Sequence, residues 1–210
     1  MPPINRVTFL VDGFNLYHSV RQASDDLGLA GKQTRWLDIS SLCKSYLATV
    51  RRSVGSGYAQ LEDIFYFSAY ASHRERIAPN SVARHKSFVQ CLKSTGVVVS
   101  LGMFKEKTRT CSNCGHTSIG YEEKETDVAI AVKLLELLFL DSCDTIVLVT
   151  GDTDLAPPVR TAKTLFPHKD LIFAFPYKRM NNILKQLAPG SFNINRTYAR
   201  TMVTVGDLNC

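Results

Sequence analysis

The most informative stretch of this 210-residue sequence is TIVLVTGDTD, residues 145–154. Its first half is apolar and β-branched, which is typical of a buried strand, and the strand ends where Gly151 and Asp152 begin a loop. Residues 7–11 repeat the pattern as a short apolar run that ends at Asp12. Three further strands are predicted at residues 64–70, 97–103 and 171–175.

Helical patterns occupy the segments between these apolar runs. The predicted helices cover residues 15–27, 39–50, 81–95, 125–140, 155–166 and 180–187. Strands that alternate with helices predict an α/β fold with a central, mostly parallel sheet and helices on both faces. We expect a single domain over residues 1–210, with a Cys-x-x-Cys hairpin insertion at about 105–121 and a C-terminal extension from about 177.

Acidic residues follow the first and fourth predicted strands. Asp12 ends the first, Asp152 and Asp154 follow the fourth, and Asp127 begins the helix before it. Ligands bind beyond the carboxyl ends of strands in open α/β sheets, so these carboxylates converge if the two strands are adjacent. Converging carboxylates repel one another unless a cation lies among them, and Mg²⁺ or Mn²⁺ suits such oxygen ligands. The alternative for each acid alone is a structural role in a turn or at a helix start.

Two neutral polar residues belong to the same neighbourhood. Asn15 is predicted to hold a ligand, and the Thr150 hydroxyl is predicted to position water or substrate, with helix or turn capping as the alternative for both. A metal held by carboxylates can activate water and neutralise charge on a phosphate in an in-line displacement. The predicted chemistry is therefore phosphodiester hydrolysis.

The excess positive charge is confined to one stretch of the chain. Lys plus Arg number 25 and Asp plus Glu 19, which gives a net charge of +6 and an isoelectric point near 9.0. From Arg74 to Arg109 there are eight basic residues and two acidic ones, so this stretch alone carries +6 and the remainder is neutral. A solvated helix face and hairpin would account for the pattern, and so would a surface that binds a polyanion.

Cations and aromatic residues together predict contact with single-stranded nucleic acid, whose phosphates pair with cations and whose bases stack on rings. The predicted substrate-binding cations are Arg74, Arg76, Lys105, Lys107, Lys178 and Arg179. The predicted stacking residues are Tyr17, Tyr70 and Tyr177, with a place at the rim or in the core as the alternative for each.

Three motifs occur in order: VDGFNL at 11–16, KETDV at 124–128 and VTGDTD at 149–154. Over about residues 6–176 the chain resembles the NYN domain family of PIN-like metal-dependent ribonucleases. The resemblance implies a PIN-like (Rossmannoid) three-layer fold and an endoribonuclease whose products carry a 5′-phosphate and a 3′-hydroxyl. It implies a Mg²⁺ or Mn²⁺ site formed by Asp12, Asp127, Asp152 and Asp154. Asn15 matches the family's asparagine, and Lys124 matches its basic residue, which we assign to substrate binding.

The sequence departs from the family at one position. Many relatives carry another acid about six residues after the one that matches Asp127, and this chain has Lys133 there. The number of bound ions stays open, and the alternative is a catalytically weak or inactive PIN-like domain that binds RNA or a protein. A haloacid-dehalogenase-like phosphatase is a further alternative, but its chemistry needs a second Asp where this chain has Phe14.

Cys111 and Cys114 form the only Cys-x-x-Cys pair in the sequence. This spacing supplies half of the four ligands of structural Zn²⁺, so the other ligands would come from elsewhere in the chain or from a second subunit in a homodimer. A turn with two free thiols and a redox pair are the alternatives.

Composition and hydropathy exclude other protein classes. With 45% hydrophobic and 21% charged residues, the chain is neither a disordered tail, a collagen-like rod nor a disulfide-dense mini-protein. Its first residues lack a signal-like apolar region, and its apolar runs are far shorter than the ~20 residues that cross a bilayer. The expectation is a cytoplasmic protein without membrane association.

Overall fold

The computed structural model describes residues 4–28, 37–55 and 58–195. The strands in these residues are β1 (Ile4–Asp12), β2 (Tyr58–Ala69), β3 (Val98–Thr110), β4 (Thr117–Lys124), β5 (Thr145–Val149), β6 (Asp170–Phe175) and β7 (Phe192–Asn193). The helices are α1 (Gly13–Asp26), α2 (Ile39–Val54), α3 (Pro79–Ser94), α4 (Thr126–Phe139), α5 (Ala156–Leu165) and α6 (Asn182–Leu187), with 3₁₀ turns at Ser72–Arg74 and Thr153–Leu155. All the predicted elements are present, although β2 begins earlier and β3 ends later than predicted.

The strands form one sheet in the order β4-β3-β2-β1-β5-β6-β7. All neighbouring strands are parallel except β3 and β4. The condition on which the convergence of the carboxylates depends is met, because β1 and β5, the predicted first and fourth strands, are adjacent and Val11 lies opposite Val149. The strand order reverses at β1, so Asp12 and the loop after β5 meet at the switch point where open α/β sheets bind ligands.

Each face of the sheet packs against its own layer of helices. Side chains alternate along β1: Phe9 and Val11 belong to the cluster with α1 and α2, and Leu10 belongs to the cluster with α4 and α5. Each fully buried Leu or Phe contributes about 1.5–3 kcal/mol, so two such clusters can hold the fold together. The predicted three-layer α/β arrangement is confirmed.

The polar segment predicted as an insertion at about 105–121 is an ordered hairpin. β3 pairs with β2 through Gly102, and from Met103 to Thr110 it pairs with β4 instead. The prediction that this strand ends at residue 103 was wrong, because cross-strand hydrogen bonds to β4 satisfy the backbone of a segment whose side chains are polar. The hairpin therefore continues the sheet without a break.

The described part of the predicted C-terminal extension joins the sheet. β7 pairs with β6, and Leu184 and Ile194 are buried in the two clusters. Residues 196–210, which complete the predicted extension, lie outside the described residues. Across residues 4–28, 37–55 and 58–195, no helix is long and apolar enough to cross a membrane.

Candidate metal centre and adjoining cleft

Asp12 is the buried carboxylate of the site, and the residue is only 5% exposed. Its Oδ1 accepts a hydrogen bond from the Asn15 N–H at 3.0 Å, so Asp12 caps α1. Its Oδ2 accepts from the Thr150 hydroxyl at 2.8 Å. Burial raises the pKa of Asp12, and these hydrogen bonds oppose part of that rise. Asp12 therefore combines the structural role of a helix cap with a desolvated charge.

Asn15 and Thr150 tie the end of β1 to the end of β5. The Thr150 hydroxyl accepts from the Asp152 N–H at 3.1 Å, and the Asn15 Oδ1 accepts from the Gly151 N–H at 3.1 Å. Thr150 is buried and Asn15 is half-buried. Both side chains have the geometry of positioning residues, since their hydrogen bonds fix the loops that carry the acids.

Asp152 and Asp154 lie in the loop after β5. The Asp152 Oδ1 accepts from the Asp154 N–H at 3.0 Å, so Asp152 caps the short 3₁₀ turn that follows. Asp152 is half-buried and Asp154 is exposed. The charge of Asp152 contributes to the raised pKa of both Asp12 and Asp127, which places it within electrostatic reach of both.

Asp127 adds a carboxylate from the first turn of α4. Burial is the largest cause that raises its pKa to about 6, followed by the negative charges of Asp12, Asp152, Glu123 and Asp154. A carboxyl group whose pKa is raised by four neighbouring acids lies in a cluster of unbalanced negative charge. The structure thus brings the four predicted acids together.

Glu123 is an acid of the site that the sequence analysis missed. It lies one residue before the end of β4, and its Oε1 accepts from the Thr126 N–H at 3.1 Å and from the Thr126 hydroxyl. Glu125, the residue before α4, has a φ of 81° and its side chain makes no cap, so Glu123 caps the helix instead. The signal that could have found it is the Glu-x-x-Thr spacing immediately before Asp127.

Asp127→Asn is expected to raise the melting temperature of the metal-free protein at neutral pH. Because the pKa of Asp127 is higher in the folded protein, folded-state stability falls as pH rises from about 4 through about 6, and the loss is complete above that window. Asparagine carries no charge, so the variant avoids this loss. Thermal melts in EDTA should show the variant above wild type at about pH 7.5 and level with it near pH 4.

Asp63→Asn is the matched control, because Asp63 is exposed on β2 away from the cluster. The melting temperature of Asp63→Asn should equal that of wild type from about pH 4 to pH 7.5. An Asp127→Asn variant that melts below wild type at neutral pH in EDTA would contradict the electrostatic account.

The donor set of the acidic cluster fits a divalent cation that keeps part of its hydration shell. No group of three or more His, Cys, Asp or Glu side chains among the described residues is arranged to hold a metal ion directly. Mg²⁺ is commonly bound by one or two carboxylates and retains several waters, so it does not require a closed cage of side chains. All the donors are hard oxygens, and their mutual repulsion would be relieved by a cation.

The basic residues of the hairpin converge on one acid. Lys107, Arg109 and Lys124 all lie within 3.2 Å of a Glu122 carboxylate oxygen and lower its pKa to about 2. Lys105 lies opposite Glu122 in the β3–β4 register and is exposed. One glutamate cannot balance these cations, so the hairpin face keeps a net positive charge.

The predicted residues after β6 form a loop against the site. Tyr177 is half-buried against the core, its carbonyl accepts from Ser19, and the Lys178 ammonium lies 5.5 Å from the centroid of its ring. Lys178 pairs with Asp26 at 2.7 Å. The Arg179 carbonyl approaches Gly151 so closely that a Cβ there would lie 1.9 Å from it.

Cys111 and Cys114 lie at the exposed tip of the hairpin as free thiols. Backbone N–H groups of Cys114 and Asn113 and the Cys114 side chain hydrogen-bond to Cys111 and lower the pKa of its thiol. A φ of 70° at Gly115 and a hydrogen bond from the Gly115 N–H to the Cys111 carbonyl close the turn. The described residues bring no third metal ligand to this pair.

A cleft of about 350 Å³ opens beside Asp12, between α1, α3 and the base of the hairpin. Its lining includes Phe14, Tyr17, His18, His73, Arg74 and Phe104, which we call the aromatic cleft. Of the predicted ligand-binding residues, only Tyr17 and Arg74 line it, whereas Arg76 lies in an exposed turn before α3. The histidines and phenylalanines of the cleft were not predicted, because they come from segments that are far apart in the chain.

Comparison with known proteins fixes the family. The NYN domain family matches residues 6–190, which is nearly the whole chain. The chain belongs to the NYN domain family. A crystal structure of a protein of unknown function from Vibrio parahaemolyticus is similar in fold, with a TM-score of 0.56 and 16% identity over 91% of this chain and 93% of that one. No curated protein matches the chain.

This NYN domain is a member of the PIN-like nuclease superfamily, and its seven-stranded α/β sheet agrees with that assignment. Lys133, the departure from the family pattern, lies farther along α4 than Asp127. Its ammonium pairs with Glu136 at 2.7 Å and lies 5.1 Å from the centroid of the Phe65 ring. Lys133 is therefore held by Glu136 on α4 and Phe65 on β2.

Proposed function

We propose that this NYN domain is a metal-dependent endoribonuclease that hydrolyses RNA phosphodiester bonds and leaves 5′-phosphate and 3′-hydroxyl ends. The observation that carries the proposal is the convergence of carboxylates at the switch point of the sheet, where burial and then the charges of the neighbouring acids raise the pKa of Asp127 to about 6. Acids gathered without a balancing cation are unfavourable in a purely structural role and are useful in a metal-dependent one.

Asp12, Asp152 and Asp154 would hold Mg²⁺ or Mn²⁺, one or two of them directly and the rest through waters that the ion retains, with Asp127 as a direct ligand or one that acts through water. When bound, the ion supplies an activated water and neutralises charge on the phosphate. Asn15 and Thr150 keep the carboxylates in place through their hydrogen bonds.

Side chains of the protein would accept the proton from water and bind the phosphates of the RNA. Where Asp127 acts through water rather than as a direct ligand, its carboxylate would be free to accept a proton from the attacking water. Arg74 in the cleft and Lys105, Lys107 and Lys124 on the hairpin would bind phosphates along the strand. Lys178 and Arg179 would add positive charge from the loop after β6.

A cleavage assay in the presence and absence of metal tests the proposal. Labelled single-stranded RNA should be cut in Mg²⁺ or Mn²⁺, left intact in EDTA, and cut again when the ion is restored in excess. Terminal phosphate analysis should detect 5′-phosphates on the products. Cleavage at full rate in EDTA would overturn the metal requirement, and RNA binding with no cleavage in either ion would identify a binding domain instead.

A zinc ion at the hairpin tip is proposed only as an ion shared between two copies of the chain. Cys111 and Cys114 supply two thiols, and tetrahedral zinc takes four ligands. Elemental analysis should give about one zinc per two chains, with a dimer in light scattering that Cys111→Ser converts to monomer. A zinc-free wild-type protein would contradict the shared site.

A further inference from the structure

The aromatic cleft has the residue types of a binding site for a nucleotide. Its full lining contains five aromatic rings, three imidazoles and three guanidinium groups. Its volume of about 350 Å³ lies at the lower end of the roughly 300–1,000 Å³ typical of small-ligand sites. The size fits a ligand of one ring system with its attached groups.

The rings of the cleft form a continuous wall. Phe14 and Phe104 meet edge to face with centroids 5.8 Å apart, and His73 lies 4.9 Å from Phe104. His73 also stacks on Tyr121 at 4.0 Å with an interplanar angle of 9°. Such a wall offers an apolar surface to a flat heterocycle, since every nucleobase has a face that stacks on aromatic side chains.

Polar groups in the cleft suit the edge of a base. The Nδ1 atom of His73 is buried and has no hydrogen-bond partner among the described residues. Burial lowers the pKa of His73 and His85, so both imidazoles are neutral at pH 7, each with one donor and one acceptor nitrogen. The His85 Nε2 lies 3.3 Å from the Ser68 hydroxyl, and the buried His73 Nδ1 could pair with a base after a small movement of the ring.

Cations lie at the exposed rim of the cleft. Arg21, Arg74 and Arg84 line it and are exposed at the surface. Arginine pairs with phosphate through two parallel hydrogen bonds, so the rim can hold a phosphate while the base occupies the interior. The cleft therefore separates stacking surface and phosphate contacts as a nucleotide requires.

The cleft adjoins the acidic cluster. Gly13 and Phe14, which line it, follow Asp12 directly, and Tyr66 in its wall has its pKa raised in part by the charge of Asp12. The backbone at Gly13 packs closely against β2, because a Cβ there would lie 2.6 Å from the Phe67 carbonyl and from the Tyr66 ring. A nucleotide in the cleft would thus have its neighbouring phosphate near the carboxylates.

We propose that the aromatic cleft binds one unstacked base of a single-stranded RNA and so places the adjoining phosphate at the acidic cluster. The choice of RNA rests on the proposed function, and a free nucleotide would share the same chemistry. A base within a duplex is already paired and stacked, so duplex RNA would have to open before it could enter.

Equilibrium binding of the full chain in EDTA tests the proposal without interference from cleavage. The probes are a labelled single-stranded RNA, the same RNA annealed to its complement, and a mononucleotide as competitor. Tyr17→Ala and Arg74→Gln should each weaken single-strand binding about tenfold, and wild type should bind the duplex more weakly than the single strand. Tyr58→Ala and Arg160→Gln, exposed residues outside the cleft, should stay within about twofold of wild type.

Three results would overturn the proposal. The first is that both cleft variants bind the single strand as tightly as wild type does. The second is that wild type binds duplex and single-stranded RNA with equal affinity, and the third is that it binds the mononucleotide as tightly as the oligonucleotide. Both substituted cleft residues are exposed at the surface, and circular dichroism of each variant verifies its fold. If the cleft variants weaken RNA binding but wild type does not cleave RNA in Mg²⁺, the cleft proposal is supported and the nuclease proposal is refuted. If wild type cleaves RNA but the cleft variants bind it as tightly as wild type, the nuclease proposal is supported and the cleft proposal is refuted.

Discussion

Asp12→Asn is expected to abolish RNA cleavage and leave the fold intact. Asparagine has the same shape and keeps an oxygen for the Asn15 N–H that caps α1, but it cannot carry the charge that a cation would balance. Loss of an essential charged group should lower the single-turnover rate by a factor on the order of 10³ or more. Removing the buried charge favours the folded state, whereas the amide NH₂ cannot accept the Thr150 hydroxyl as the Asp12 Oδ2 does, so the melting temperature at neutral pH should stay close to that of wild type.

Asp25→Asn is the matched control for this experiment. Asp25 is exposed at the far end of α1, and its replacement removes the same charge from the same helix. The control should cut RNA at the wild-type rate. An Asp12→Asn variant that is folded and cuts as fast as this control would refute the assignment of the acidic cluster as the catalytic centre.

Gly151→Ala is expected to destabilise the protein and lower its activity together. The added methyl group would lie 1.9 Å from the Arg179 carbonyl and 3.0 Å from the Arg179 Cβ, so the loop after β6 must move. The Gly151 N–H also donates to Asn15, which links the ends of β1 and β5. Overpacking of this kind costs about 1–3 kcal/mol, and we expect a loss of about 2 kcal/mol in the free energy of unfolding by urea titration.

Gly120→Ala provides the comparison within the same chain. Gly120 lies in β4, and a Cβ there would meet its nearest atoms at 3.6 Å, an ordinary contact distance. This variant should unfold within about 0.5 kcal/mol of wild type and retain cleavage. If Gly151→Ala behaves as Gly120→Ala does, the loop after β6 does not constrain the end of β5.

Sequence pattern predicted the four acids because their placement follows from topology. Asp12 and Asp152 stand directly after or close to the ends of apolar strands, and parallel strands bring their carboxyl ends to one edge. Asp127 could be placed because it begins a strongly apolar helix. Local pattern and sheet geometry thus agree at this site, and the structure adds the hydrogen bonds through Thr150 and Asn15.

The features that could not be predicted from sequence depend on contacts between distant segments of the chain. Lys107, Arg109 and Lys124 share Glu122 because of the antiparallel register of the hairpin, which the polar sequence did not reveal. Cross-strand partners are fixed by register, and a shift of one residue would place them on the opposite face. The positive stretch predicted from sequence is therefore partly neutralised.

The aromatic cleft could not be predicted from sequence for a similar reason. His73 and Phe104 are 31 positions apart in the sequence and meet because β2 and β3 are neighbours in the sheet. Each residue alone fits an ordinary place at a strand end. Only the packing of α1, α3 and the hairpin base shows that they line one space with Phe14.

The continuous β3–β4 hairpin gives this protein an arm whose length can change without a change in the acidic cluster. Beyond Phe104 and Glu123, which are paired at its base, the two strands bond only to each other as far as Thr110 and Thr117. Side chains alternate between faces along a strand, so insertion of one residue pair in each strand would lengthen the arm and keep every base contact in register. Relatives could therefore vary in reach, charge and tip chemistry by changes in this arm alone.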